Sequence, residues 1–336
     1  MFTDWAGARN QKIDIVRITA TINRVIMSNT NSKVSIIILH FNNLDVLTAC
    51  LQSCQLISYP NYEIIIVNNG PRSQLNSLAE NNHADLVSSI INCPQNLGYA
   101  GGNNIGIWEA LRDGTEYVLL LNDDTTVAPD FLNILISTAK KSYDTGIVGP
   151  KIYCFDEPQR IWFAGARFDP DSCMITSHET AHIDNEVSSD LIDSDYITGC
   201  ALLIKKAVIE KIGLLDERFF LYWEDVDWGL RAKKAGLKNF VVPQSRIWHK
   251  VSVSTGGMDS PLRAYHKTRS HLLMAKLHSP NALTRLHTGF FRDIAWLFLK
   301  SKDRDRIRKA QAYMAAIIDY HRGRTDRGPH WLWNKQ

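Results

Sequence analysis

The chain has 336 residues, is 45% hydrophobic and 22% charged, and carries a formal charge of +3. This composition excludes a disordered, collagen-like or disulfide-framework protein and leaves one large domain or two modest ones with a substantial core. The charge is unevenly placed, because residues 261–336 hold 16 Lys and Arg against 5 Asp, leaving −8 for the first 260 residues. Such a basic tail fits an anionic partner such as a membrane surface, or a solvated helix face. Six scattered cysteines without a C-x-x-C pair fit a reducing compartment. There is no run of 18 apolar residues and no basic-then-apolar start, so neither a spanning helix nor a signal peptide is predicted. The expected location is the cytoplasm, with the basic region a candidate peripheral contact at the inner face of the cell membrane.

Residues 1–33 have weak periodicity and are expected to be a loosely attached extension, with Met27 a candidate start. Val34 to Leu39 is a β-branched apolar run typical of a buried parallel strand. Asn43 to Cys54 predicts a helix with Cys50 and Cys54 on one face. Glu63 to Val67 is a second strand closed by the turn Asn68-Asn69-Gly70-Pro71. A helix is expected over Gln74–Asn81 and a third strand over Leu86–Ile91. The glycine-rich stretch Asn96 to Asn104 is taken as a loop before a helix over Ile105–Arg112. Tyr117 to Leu121 is a fourth strand, ending at Asn122-Asp123-Asp124. Pro129 suits the first turn of a helix reaching about Lys141.

From about Gly149 the pattern changes. Strands are expected over Ile161–Phe168 and Tyr196–Ile204. A short helix follows over Lys205–Ile212, then a helix near Glu224–Ala235 and a strand Phe240–Pro243. From Pro261 the chain is largely helical. Strands alternating with helices mean an α/β fold with a mostly parallel sheet flanked by helices, followed by a helical C-terminal region. Ligands of such sheets bind beyond the carboxyl ends of the strands. The Asn68-Asn69-Gly70 turn, the glycine stretch and the acidic turn all lie there.

Asp123 and Asp124 are hard oxygen ligands suited to Mg²⁺ or Mn²⁺ shared with phosphate; the alternative is a helix-capping turn. Glu224, Asp225 and Asp227 open a helix beneath an aromatic cluster. Asp227 can pair with Arg231 at i,i+4, leaving Asp225, on a roughly opposite face, free to act in a cleft. The alternative there is a favourable interaction with the helix dipole. His249, beside Trp248, is either a packed histidine or a ligand. The glycine stretch matches neither G-x-G-x-x-G nor the P-loop, which argues against a dinucleotide dehydrogenase and a P-loop enzyme.

These ordered motifs resemble the family 2 glycosyltransferases, inverting enzymes of the GT-A fold, and most of all their rhamnosyltransferase- and galactofuranosyltransferase-like branch. The likeness runs from Val34 to about His278. It is carried by Ser35 to Leu39 with Asn42, Val67 to Gly70, Asn96 to Asn103, Leu121 to Thr125, Thr198-Gly199-Cys200, Gly213 to Phe220, Glu224 to Asp227, and Pro243 with His249. The resemblance implies a catalytic domain over residues 34–260, divided into a nucleotide-binding half (34–150) and an acceptor half (151–260), followed by a basic helical region (261–336). It implies nucleotide binding at His40, Asn42, Asn68, Asn69, Asn96, Gly98, Asn103, Asn122 and Asp123. It also implies a divalent metal (Mn²⁺ or Mg²⁺) at Asp124, Asp123 and His249, and a catalytic base at Asp225. Thr198, Gly199, Cys200, Trp223 and Glu224 would shape the donor and acceptor cleft.

The family commonly has Asp where Asn68 stands, and stricter motifs have Asp where Asn122 stands. The implied reaction moves a rhamnose- or galactose-like sugar from a UDP- or dTDP-linked donor to a glycan or lipid-linked acceptor of the cell surface; no nucleic acid is implied. A non-catalytic sugar-nucleotide or polysaccharide binder and a nucleotidyltransferase are the competing readings.

Overall fold

The computed structural model describes residues 31–71, 75, 86–178, 182–184, 190–250, 260–299 and 305–333. The expectations for residues 1–30, for most of the Gln74–Asn81 helix and for Lys300 to Arg304 lie outside the described residues.

The buried runs read from the sequence form parallel neighbours. β1 (Val34–His40) pairs with β2 (Tyr62–Asn68) on one side and β4 (Tyr117–Asn122) on the other, and β2 pairs with β3 (Val87–Asn92). The register sets Leu39 beside Asn122, His40 beside Asn68 and Asn68 beside Asn92. The polar strand ends therefore form one edge. Ile36, Ile37, Ile38, Ile64, Ile66, Leu119 and Leu120 are fully buried, as strands covered on both faces require. Beyond β4 the sheet continues as β11 (Ala201–Lys205), β6 (Thr145–Cys154), β12 (Lys238–His249) and β10 (Ile192–Ser194). β11 is antiparallel to both neighbours, whereas β6 and β12 are parallel. The sheet is therefore mixed, and the two expected halves share it.

Helices α1 (Leu44–Cys54), α2 (Gly98–Arg112) and α3 (Phe131–Lys140) pack against this sheet. Asn43 caps α1 at Val46 N–H, and Cys50 and Cys54 are both buried. The glycine stretch is not a loop: α2 begins at Gly98 rather than Ile105. Low helix propensity is overridden by close packing, since a Cβ on Gly102 would lie 2.4 Å from Leu39 Cδ1 and one on Gly106 2.5 Å from Ile37 Cγ2.

Other boundaries also differ. β6 runs through Gly146, Gly149 and Pro150, so the expected change of pattern near Gly149 and the division at 150 fall inside a strand. The Ile161–Phe168 strand is two, β7 (Ile161–Phe163) and β8 (Ala166–Asp169), separated by Gly165 at φ +100°, and β8 pairs with β9 (Met174–Ser177). Tyr196 to Cys200 is a loop, not the start of a strand. Pro243 lies within β12 rather than ending a strand, a register irregularity between Val242 and Arg246 accommodating it, and His249 ends that strand. A short strand that the pattern did not reveal, β5 (Thr125–Val127), pairs with the end of β12. Pro129 precedes α3 rather than opening it.

In the second half, α4 (Lys206–Ile212) and α5 (Glu224–Lys234) follow β11. The C-terminal layer is α6 (Pro261–His278), α7 (Leu283–Leu299) and α8 (Arg306–His321). It has small cores of its own around Leu272, Ile294 and Leu297, and around Tyr265, Ala312, Ala316 and Leu332. Among the described residues no helix is long and apolar enough to cross a membrane.

Candidate active site

A cleft of about 860 Å³ opens over the strand-end edge. On its sheet side stands the acidic turn, with Asp123 and Asp124 both buried. The antiparallel pair β5–β12 sets His249 beside Thr125, and Lys250 N–H donates to Asp124 O at 2.9 Å. His249 Nε2 thus lies 3.0 Å from Asp124 Oδ1. No hydrogen bond forms between them, and both Asp124 Oδ1 and His249 Nδ1 are buried without a partner. An unpartnered buried carboxylate oxygen with an imidazole nitrogen beside it is a donor pair that suits a divalent cation such as Mn²⁺. Among the described residues no set of three or more His, Cys, Asp or Glu could hold a metal.

Asp123 is occupied differently. His40 Nδ1 lies 2.7 Å from its Oδ2, and burial raises the Asp123 pKa while His40 partly offsets that. The cleft is also lined by Asn69, Asn96, Gly98, Asn122, Thr198, Gly199, Cys200, Trp223, Glu224, Asp225 and His249. Asn69 ties the loops together: its Oδ1 accepts from Leu97 N–H at 2.8 Å, and its Nδ2 donates to Asn96 Oδ1 at 3.1 Å and Gly98 O at 2.9 Å.

The remaining expected nucleotide residues do not reach the cleft wall. His40 acts only through Asp123. Asn68 closes its own turn, accepting from Gly70 N–H at 3.1 Å and donating to Asn92 at 2.9 Å. Asn103 is buried on α2 and donates to Tyr99 O at 3.0 Å. Asn42 is half-buried in the turn after β1.

Across the cleft, Phe220, Tyr222 and Trp223 have φ of +32°, +68° and +74°, conformations that cost about 1–3 kcal/mol each for residues with side chains. Tyr99 N–H donates to Phe220 O at 2.6 Å, Ser270 Oγ to Leu221 O at 3.0 Å, and Asp227 N–H to Trp223 O at 2.9 Å. The turn so held starts α5 facing the cleft. Asp227 turns away and pairs with Arg231 at 2.7 Å and His278 at 2.8 Å. Asp225 faces inward: its Oδ2 accepts from Gly199 N–H and its Oδ1 from Val226 N–H, each at 2.9 Å. Burial raises its pKa, and these N–H groups hold the rise in check. Beside it, burial and the Asp225 charge push Glu224 well above the carboxylate range, and Glu224 Oε2 has no partner.

Sequence reasoning missed several wall residues. Tyr99 donates to Gly199 O at 2.5 Å, Trp162 meets the His249 ring edge-on at 4.4 Å, and His271 stacks on Trp223 at 4.3 Å. Arg263 and Lys267 stand over Tyr222, each 5.7 Å from its ring. Only the placement of α6 beside the strained turn brings these last three to the site, and no motif marks them.

Solved structures share this fold. GalNAc-T7 with UDP, GalNAc and Mn²⁺ superposes with a TM-score of 0.58 at 14% identity, over 86% of this chain and 54% of that one. *Staphylococcus aureus* TarS 1–349 with UDP-GlcNAc superposes with a TM-score of 0.52 at 13% identity, over 87% and 92%. The fold is thus that of the GT-A glycosyltransferases. The family model for Glycosyl transferase family 2 matches residues 35–212, and the chain belongs to that family. It is 24% identical over 311 residues to dTDP-rhamnosyl transferase RfbF of *Shigella flexneri*, covering 89% of this chain and 98% of that protein. It is 28% identical over 200 residues to galactofuranosyltransferase GlfT2 of *Mycobacterium tuberculosis*, covering 54% of this chain but only 31% of that protein.

Proposed function

We propose that the chain transfers a rhamnose- or galactose-like sugar from a UDP- or dTDP-linked donor to a hydroxyl of a glycan or lipid-linked acceptor in cell-surface polysaccharide synthesis, with inversion. The observation that carries this reading is the single cleft with Asp123, Asp124 and His249 on one wall and Asp225 on the other. Asp124 and His249 would hold a divalent metal, which when bound neutralises the diphosphate leaving group. Residues 34–150 then mainly serve the nucleotide and residues 151–260 mainly the acceptor, with His249 reaching across to the metal.

Asp225, aimed by Gly199 and Val226 N–H, takes the proton of the acceptor hydroxyl as that oxygen attacks the anomeric carbon. The bond from that carbon to the diphosphate breaks, and nucleoside diphosphate leaves. One base and one displacement give inversion. Lys267 and Arg263 add positive charge near the acceptor wall. Phe291, Trp296, Phe298 and Leu299 are exposed on α7; with the basic charge of residues 261–336 they suit a peripheral contact to an anionic membrane surface. Serine at Phe298 and Leu299 should then reduce co-flotation with anionic vesicles.

The deciding experiment supplies UDP- and dTDP-sugars with Mn²⁺ and a lipid-linked or glycan acceptor. Nucleoside diphosphate release with an inverted anomeric signal by NMR is the expected result. Pyrophosphate release would indicate a nucleotidyltransferase, and donor binding without turnover a sugar-nucleotide-binding protein.

A further inference from the structure

The C-terminal segment returns to the end of the cleft away from Asp225. After α8 the backbone runs back along α6, where the buried Arg269 donates to Asp326 O at 2.6 Å and Thr325 O at 3.3 Å. Arg269 also donates to the Tyr265 hydroxyl at 3.1 Å, and that hydroxyl donates to Asp319 at 2.8 Å. Gly328 has φ +77°, and a Cβ there would lie 2.4 Å from the Tyr265 ring, so the chain passes only because no side chain is present. Leu332 is buried against Tyr265, Ala312 and Ala316. Trp333 follows. Its Nε1 donates to Arg327 O at 2.9 Å, and its ring lines the cleft. The ring centroid lies 6.1 Å from Phe41 and 6.3 Å from Phe220, nearly edge-to-face with both.

Phe41 directly follows β1, and its backbone packs on Gly70 beyond β2. On the donor reading, the diphosphate sits at Asp124 beyond β4. The sugar must lie on the β11 side of it, where Gly199 positions Asp225. The nucleoside, joined to the other end of the diphosphate, then extends the opposite way, over the ends of β1 and β2 toward Asn69 and Phe41. Trp333 stands at that end.

We propose that Trp333, with Phe41, forms the aromatic face on which the donor nucleobase stacks, so that the C-terminal region completes the donor site. This rests on the nucleotide-sugar reading above. A stacking face accepts any base, because every base has a π-face.

The test titrates the full chain with UDP, dTDP and inorganic pyrophosphate at saturating Mn²⁺, as wild type, Trp333→Phe and Trp333→Ala. Trp333→Ala should weaken both nucleotides on the order of 10-fold. Trp333→Phe should stay within about 3-fold of wild type, since it keeps a ring to stack on. Pyrophosphate should bind all three alike, because it carries no base. Nucleotide binding unchanged in Trp333→Ala would overturn the proposal, as would an equal loss for pyrophosphate, which would mean damage to the fold. A wild type that binds pyrophosphate but neither nucleotide would overturn the donor reading, and this proposal with it.

Discussion

The cleft holds two pairs of adjacent acidic residues on facing walls, and chemically similar side chains are set up differently in each. Asp123 and Asp124 end a buried strand, and each has a histidine beside it, His40 at 2.7 Å and His249 at 3.0 Å. Glu224 and Asp225 open a helix, where Asp225 accepts from the Gly199 and Val226 N–H groups and the Thr198 side chain, and its charge bears on Glu224. The first pair can share a positive centre with a ligand. In the second, burial without a counter-charge raises both carboxyl pKa values, and directed N–H groups hold the rise at Asp225 in check. What a carboxylate pair does is set by its partners, and those partners come from distant segments: His249 on β12 for one, Gly199 in the loop before β11 for the other.

Substitutions can break or sharpen this contrast. The largest expected effect is from Asp225→Asn, which should lower transfer about 10²–10⁴-fold while calorimetric binding of nucleoside diphosphate with Mn²⁺ is retained; full turnover in this variant would remove the base assignment. His249→Ala should do the reverse, weakening Mn²⁺-dependent nucleotide binding by at least about 10- to 100-fold, a loss that even outer partners of a metal can cause. Mn²⁺-independent binding by wild type and variant alike would contradict a metal role.

Gly98 joins the two walls, since it has φ +75° and a Cβ there would lie 2.2 Å from Phe220 O. Gly98→Ala should cost about 1–3 kcal/mol of stability, read as a lowered denaturation midpoint. The smallest effect is expected from Glu224→Gln. Because the folded state holds the Glu224 proton more tightly than the unfolded chain, wild-type stability falls as pH rises above the ordinary carboxylate range. The Gln variant should therefore be more stable than wild type at alkaline pH and gain nothing below about pH 4. Parallel stability–pH curves would show that Glu224 is ionised in the fold. Wild-type activity should fall as pH drops through the raised Asp225 pKa.

The α/β class, the parallel strands β1 to β4 and the convergence of their polar ends were legible in the residues, because a strand buried on both faces is a continuous apolar run and its exit must be polar. Asp227 pairing with Arg231 followed from helical spacing alone. The rest depended on packing. The glycine stretch is helix because Leu39 and Ile37 lie against it, and β6 is strand through Gly149 and Pro150 because Ile147, Val148 and Ile152 are buried around them. Asn68 looked available to a ligand until its turn contacts were placed. Trp333 and Lys267 carry no local signature at all. Periodicity reports which face of an element is buried, but which distant side chain meets it across a cleft is decided only when the elements dock.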